Sequence, residues 1–274
     1  MARILPQIEQ QSLYNAINWK STSWSVTASA NACYNVVIPT LRCGSSTLPR
    51  EAQATVGSTP ASPSWVLSSS YVGIAGASNG NQTTSGGLIP GFAETRVTGG
   101  SAYASNYLCA GGVLFINGEN PKTGPRSSLS VITDGSSKTL LIGEQSDYLI
   151  DTSGNQQVWT SSGAKGFLMG ALGEGTPPMH SYFSGTYTGN SNWQSWNTTT
   201  IRWKINTKSG WDGSSNGVFG TWGAENAPLL SAHPGGAFVA MADGAVTLLD
   251  ENIQMAVLAR LATRDDGQPT GYAP

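Results

Sequence analysis

Ala237-Phe-Val-Ala-Met-Ala-Asp-Gly-Ala-Val-Thr-Leu-Leu249 is the stretch that decides the fold class. Two apolar runs, 237–241 and 245–249, flank Ala242-Asp243-Gly244. Asp-Gly is a leading signal for a two-residue hairpin loop, so the stretch reads as an antiparallel hairpin over residues 236–249. Beyond it, Asp250 or Asn252 can cap a helix over about 252–264, in which Ile253, Val257 and Leu261 share one face. Arg260 and Arg264 fall near its C-terminal end, where the macrodipole favours cations, and Gly267 is placed to stop it.

Upstream, Asp134-Gly135 reads as a turn before a buried strand over 138–143, and 127–133 as a single helical turn. Between residues 44 and 120, short apolar runs at 64–67, 71–75 and 112–116 alternate with Gly/Ser/Thr/Asn clusters, the pattern of strands joined by loops. Pro6 suits a first helical turn, and Leu13, Ala16 and Ile17 continue at helical spacing, which predicts a helix over about 7–18. A second helix is expected over 28–38, ended by Pro39. Residues 150–225 read as a large loop-rich insertion carrying many aromatics, too aromatic for a disordered linker. The resulting class is α+β: an antiparallel sheet, an N-terminal helix, and a C-terminal hairpin plus helix in one domain over residues 1–274.

Composition narrows the setting. Charged residues make up 11% of the 274, against a usual share of about 25%. Gly, Ser, Thr and Asn replace the ordinary Lys/Glu coat, which suits secreted and surface-assembled proteins. The net charge is −2 and no basic cluster exists, so nucleic acid is excluded as a partner. No run of 18 apolar residues exists, so no membrane span is expected. Cys33, Cys43 and Cys109 lack the spacing of a zinc finger. Cys33 and Cys43 either close a short loop in an oxidising compartment or stay as buried free thiols.

Four segments, in order, carry a resemblance. They are Ile4-Leu-Pro-Gln-Ile-Glu-Gln-Gln-Ser-Leu-Tyr-Asn-Ala-Ile-Asn18, Val37-Ile-Pro-Thr-Leu-Arg-Cys43, Ile132-Thr-Asp-Gly-Ser-Ser-Lys-Thr-Leu-Leu-Ile-Gly-Glu144 and Ser231-Ala-His-Pro-Gly-Gly236 running on to Ala242-Asp-Gly-Ala-Val246. The last holds His233, nine residues, then Asp243-Gly244. Together they resemble a large bacterial family of prepilin-like secreted proteins with a His-(nine residues)-Asp-Gly signature, similar to the pseudopilins of type II secretion. The resemblance implies a pilin-like fold, an extracytoplasmic location, and copies of itself or secretion-system subunits as partners. It also implies an N-terminal spine helix that this chain lacks, so contact with a membrane and filament assembly through that helix are not expected. Export implies a Cys33–Cys43 disulfide with Cys109 free.

Candidate chemistry is sparse. Glu144, at the end of a buried strand, is the best carboxylate for acid/base work, with Glu174, Asp212 and Glu225 as conceivable partners in a glycoside hydrolysis. His233 and His180 are the two histidines. His233 precedes a Pro-Gly-Gly turn, where an imidazole commonly bonds a nearby backbone group or carboxylate. A strand separates it from Asp243, so a direct pair between these two motif residues is not expected. Trp193, Trp196, Trp203, Trp211 and Trp222 form either a sugar-stacking surface or a minor core for the insertion. Asp151-Thr-Ser-Gly-Asn155 imitates the start of a calcium loop without its terminal Glu, which makes calcium the one cofactor considered. Two Gly-x-Ser-x-Gly matches, at 76–80 and 213–217, reflect the Gly/Ser-rich composition rather than a nucleophile elbow. The leading expectation is a structural subunit; a secreted carbohydrate-active protein is the alternative.

Overall fold

The computed structural model describes residues 2–17, 32–53, 65–78, 89–99, 107–114, 128–161, 166–167, 197–212 and 226–272. Along these the chain forms β1 (Glu51–Gln53), β2 (Trp65–Leu67), β3 (Tyr71–Ala77), β4 (Val97–Gly99) and β5 (Tyr107–Cys109). It continues through β6 (Leu140–Glu144), β7 (Leu149–Asp151), β8 (Gln156–Gln157), β9 (Thr198–Ile201) and β10 (Ser209–Trp211). It then enters β11 (Gly236–Met241), β12 (Val246–Asp250) and a helix, Met255–Leu261. The class is α+β. The largest sheet has five strands in the order β12-β11-β6-β3-β9.

That sheet is mixed. Four strands pair antiparallel, while β9 lies parallel to β3 at one edge. The expected all-antiparallel sheet is corrected by β9, which comes from the stretch read as insertion. Thr199, Thr200 and Ile201 are buried there, so this strand is built largely from hydroxyl side chains rather than aliphatic ones. Thr199 Oγ1 donates to the Ala227 carbonyl and Thr200 Oγ1 accepts from the Cys109 N–H, which satisfies both. Nearby, β7 pairs with β8 and β10 in a small separate sheet.

The hairpin forms where expected, with Phe238 opposite Leu248 and Ala240 opposite Val246. Its loop is longer than the two residues expected. The Met241 N–H bonds the Ala245 carbonyl and the Gly244 N–H bonds the Met241 carbonyl, leaving 242–244 as a three-residue turn. Gly244 takes the single positive φ, 92°, as in hairpins closed by a turn and a bulge. Asp243 builds this turn: its Oδ1 accepts the Ala245 N–H.

The C-terminal helix is shorter than expected, Met255–Leu261. Gln254 precedes it without a side-chain cap, and Asp250 instead accepts the Asn252 N–H in the preceding turn. Leu258, Ala259 and Leu261 form its buried face, joining Val72, Ile74, Leu140 and Val239 in the main core. Gly267 does not end the helix. Its N–H, with that of Asp266, donates to the Asp134 carboxylate and ties the C-terminal segment to the turn before β6. Arg264 likewise lies past the helix, giving its guanidinium to the Ala110 and Gly112 carbonyls at 2.5 and 2.6 Å.

The N-terminal region also departs from expectation. Ala2–Ile8 is a 3-10 helix with Pro6 inside it, and only Gln11–Ala16 is α-helical. Glu9, at φ 62°, separates the two. In the expected helix over 28–38, residues 32–33 are helical, 34–35 form a turn and 36–38 are not helical, with Ile38 extended; 28–31 lie outside the described residues. The helical turn at Leu129–Val131 forms as expected. The strand expected at 112–116 is a bend over 112–114, held to β3 by the Gly112 and Leu114 N–H groups; 115–116 lie outside the described residues. No helix among the described residues is long and apolar enough to cross a membrane.

Candidate functional site

β6 ends on Glu144, and the backbone there approaches its neighbours closely. A side chain at Gly143 would bring a Cβ within 2.5 Å of Leu229 Cδ2, so a residue without one precedes the carboxylate. Glu144 is 1% exposed. Ser146 Oγ donates to its Oε1 at 2.5 Å, and Ser231 Oγ and the Phe238 N–H donate to its Oε2 at 2.8 and 3.1 Å. Burial of a carboxylate is tolerated only when its lone pairs are occupied, and here both oxygens are.

His233 reaches the same point from the loop before β11. Its N–H donates to Ser231 Oγ, the hydroxyl that also serves Glu144, and its ring meets Phe238 edge-on at 5.0 Å. The ring Nε2 lies 3.8 Å from Glu144 Oε1 and 3.4 Å from Cys43 Sγ.

Cys43 arrives from a loop that is tightly pinned. Arg42 donates to the carbonyls of Leu48, Pro49 and Ser68. Thr47 N–H and Ser46 Oγ both donate to the Ser146 carbonyl, two residues past Glu144. The donor atoms of Cys43, Glu144 and His233 all fall within 4.8 Å of one another. Burial pushes the Cys43 thiol up, and hydrogen bonding to the Glu144 carboxylate adds to this against the lowering by the Ser45 and Ser46 backbone. Tyr71 is raised by burial and then by the nearby Cys43 and Glu144. A pocket of about 270 Å³ opens over the three, walled by Tyr71, Ile142, Phe238 and Val246.

Sequence reasoning points to Glu144 and His233 separately but not together, and it leaves Cys43 either linked to Cys33 or a free thiol, with the link as the consequence expected of export. All three cysteines are free: Cys33 and Cys109 are buried and Cys43 is partly exposed, so the expected Cys33–Cys43 link is not formed. Cys33 packs in an apolar cluster with Leu5, Ile17, Ile38 and Phe167, while Cys43 turns to the polar site. One signal was present in the sequence. Three of the four segments carrying the resemblance each contain one of the three residues.

The other candidates lie elsewhere. Asp212 is exposed just after β10. Trp211 is buried and Trp203 half-buried; they meet edge to face at 5.1 Å in a small core with Leu149, Ala227 and Leu230. The Asp151 carboxylate accepts from the N–H groups of Ser153 and Asn155 and from the side-chain amides of Asn155 and Gln157. Those bonds make Asp151 and Asn155 the turn between β7 and β8, and they hold the Asp151 carboxyl below its ordinary range. Glu174, His180, Trp193, Trp196, Trp222 and Glu225 lie outside the described residues.

Fold and site together define an α+β protein with a mixed five-stranded sheet and a Cys-Glu-His cluster, centred on the buried Glu144, beneath an apolar-walled pocket. The chain belongs to the family described as protein of unknown function DUF1559, whose model matches residues 1–256. No curated protein and no solved structure matches the chain.

Proposed function

We propose that the chain is a non-enzymatic structural subunit of an extracytoplasmic assembly, its fold a variant of the pilin-type head. The observation that carries this is the outer edge of the main sheet. Among the described residues β12 has β11 as its one strand partner, and Val246 and Leu248 on it are 68% and 42% exposed. Phe238 stands beside Leu248 on the same face, 38% exposed. Natural edge strands are commonly blunted by Lys, Pro or a bulge, whereas β12 reads Val-Thr-Leu-Leu-Asp. A second copy adding its own β12 would pair the open backbone groups and cover this apolar strip in one step. Low charge and the pseudopilin resemblance support the extracytoplasmic setting, with other copies or secretion-system subunits as partners.

A carbohydrate-active role finds less support. Two-carboxylate glycoside hydrolysis needs a second carboxyl about 5–10 Å from the first, and Glu144 is the one carboxylate among the described residues lining the pocket.

Light scattering and electron microscopy of the purified full chain test the proposal. Concentration-dependent association that is lost in Val246→Lys/Leu248→Lys is the expected result. A wild type that stays monomeric throughout, or a double variant that assembles equally well, overturns it.

A further inference from the structure

We infer that Cys43, Glu144 and His233 form a metal centre for a borderline-soft divalent cation, zinc foremost. The inference does not rest on the assembly reading, although Phe238 and Val246 belong both to the edge strip and to the pocket wall.

Three ligand types that zinc prefers converge from three separate segments: a thiol, an imidazole nitrogen and a carboxylate oxygen. At zinc bond lengths of about 2.0–2.3 Å and tetrahedral angles, neighbouring donor atoms sit roughly 3.3–3.6 Å apart. Here Sγ to Nε2 is 3.4 Å and Nε2 to Oε1 is 3.8 Å. Two edges of the triangle are therefore close to those of a coordination tetrahedron's face, and the third, from Sγ to a Glu144 oxygen, lies within 4.8 Å, so the three donors can close on one ion by a modest inward movement.

The surroundings call for a cation. Glu144 is almost fully buried, yet its three donors, Ser146 Oγ, Ser231 Oγ and the Phe238 N–H, are all neutral. Among the described residues, His233 is the one basic side chain within 4 Å of it. A buried carboxylate without a full countercharge is costly, and a divalent ion shared with a thiolate and an imidazole supplies it. The two hydroxyls and the backbone N–H fix the carboxylate's orientation, the kind of outer support that metal ligands characteristically have.

A nucleophilic Cys-His-Glu relay is the competing use of the same residues, and the geometry disfavours it. In such a relay the acid orients the imidazole through the nitrogen opposite the nucleophile. Here Cys43 and Glu144 both approach Nε2. That is convergence on one point, as ligands make, rather than a chain. With three protein ligands, the fourth coordination position faces the pocket of about 270 Å³, where water or a small donor can complete the shell.

The test is a titration of the full chain, purified with a thiol reductant and stripped with a chelator, using Zn²⁺ by calorimetry and Co²⁺ by absorbance. Wild type should bind one equivalent of each, and cobalt should give a thiolate-to-metal charge-transfer band with the intense visible absorption of tetrahedral coordination. C43S and H233Q should each weaken zinc binding tenfold or more, and C43S should abolish the charge-transfer band. Both positions are partly exposed, so these variants should melt cooperatively like the wild type, which separates lost binding from lost folding; E144Q carries the greater folding risk. A wild type that binds neither ion while Cys43 alkylates rapidly at neutral pH overturns the inference in favour of a thiolate–imidazolium pair. Zinc binding that is unchanged in C43S and H233Q overturns it as well.

Discussion

Asp147 shows how single residues hold the candidate site in place. Its Oδ2 accepts from Lys208 Nζ at 2.5 Å, and its Oδ1 accepts from Thr47 Oγ1 and the Tyr148 N–H. Burial alone would push its carboxyl up, but these donors outweigh it and the net shift is downward. A carboxyl depressed in the folded state contributes stability that is complete above its unfolded value of about 3.9. That contribution is lost as pH falls through the lower folded value. Wild type should therefore exceed Asp147→Asn in urea midpoint at pH 7, and the gap should narrow on acidification below about pH 4. Lys208 is one-third exposed, so salt should shrink the gap too. A gap that is the same at pH 7 and pH 3 would show that the ion pair contributes nothing.

Among the elements, the C-terminal helix has the most concentrated effect on the core. It is one short segment, and isolated helices of that length do not persist in water, so packing must hold it. Leu258 is fully buried against the sheet. Truncating a buried leucine removes its transfer free energy and leaves a cavity, so Leu258→Ala should cost about 2–5 kcal/mol. Denaturant unfolding measures this as a fall in midpoint at constant slope. What the sequence makes legible at this scale is what local rules govern. The 237–249 hairpin announces itself by two apolar runs about Asp-Gly, and β6 by its aliphatic run into Glu144. β9 does not, because the β-branched run Thr198-Thr-Thr-Ile201 is only four residues long, lacks apolar alternation and lies in a stretch rich in Asn, Ser and Gly, so its pairing with β3 is set by long-range contacts. Cys43 is hidden for the same reason. Its partners lie about 100 and 190 residues away, and ten-residue proximity to Cys33 pointed the other way.

Over the whole molecule, the three thiols report on different depths. Burial pushes Cys33 and Cys109 up to about 12, and each is 2% exposed. The thiolate is the reactive form, so neither should alkylate in the native state. Mass spectrometry of metal-free protein treated with iodoacetamide should find Cys43 modified first, with Cys33 and Cys109 following only as the chain unfolds in denaturant. Early labelling of Cys109 would contradict the closed packing of β5 against β3. The mixed sheet also bears on how the chain is made. β3 and β6 lie beside each other at the centre, yet their outer neighbours come much later: β9 after residue 197 and β11 after residue 235. Roughly 90 residues separate β6 from β11, and at ribosomal rates these take roughly 5–20 s to appear. Until β9 appears the nascent chain carries a two-stranded ribbon with both edges open, and until β11 appears the β6 edge stays open, too small an assembly to be stable alone and able to pair with the wrong strand. Slow, long-range closure of this kind puts folding in the millisecond-to-second class at best. Until Met241 has left the ribosome, the β6 edge of that ribbon therefore waits without its native partner strand.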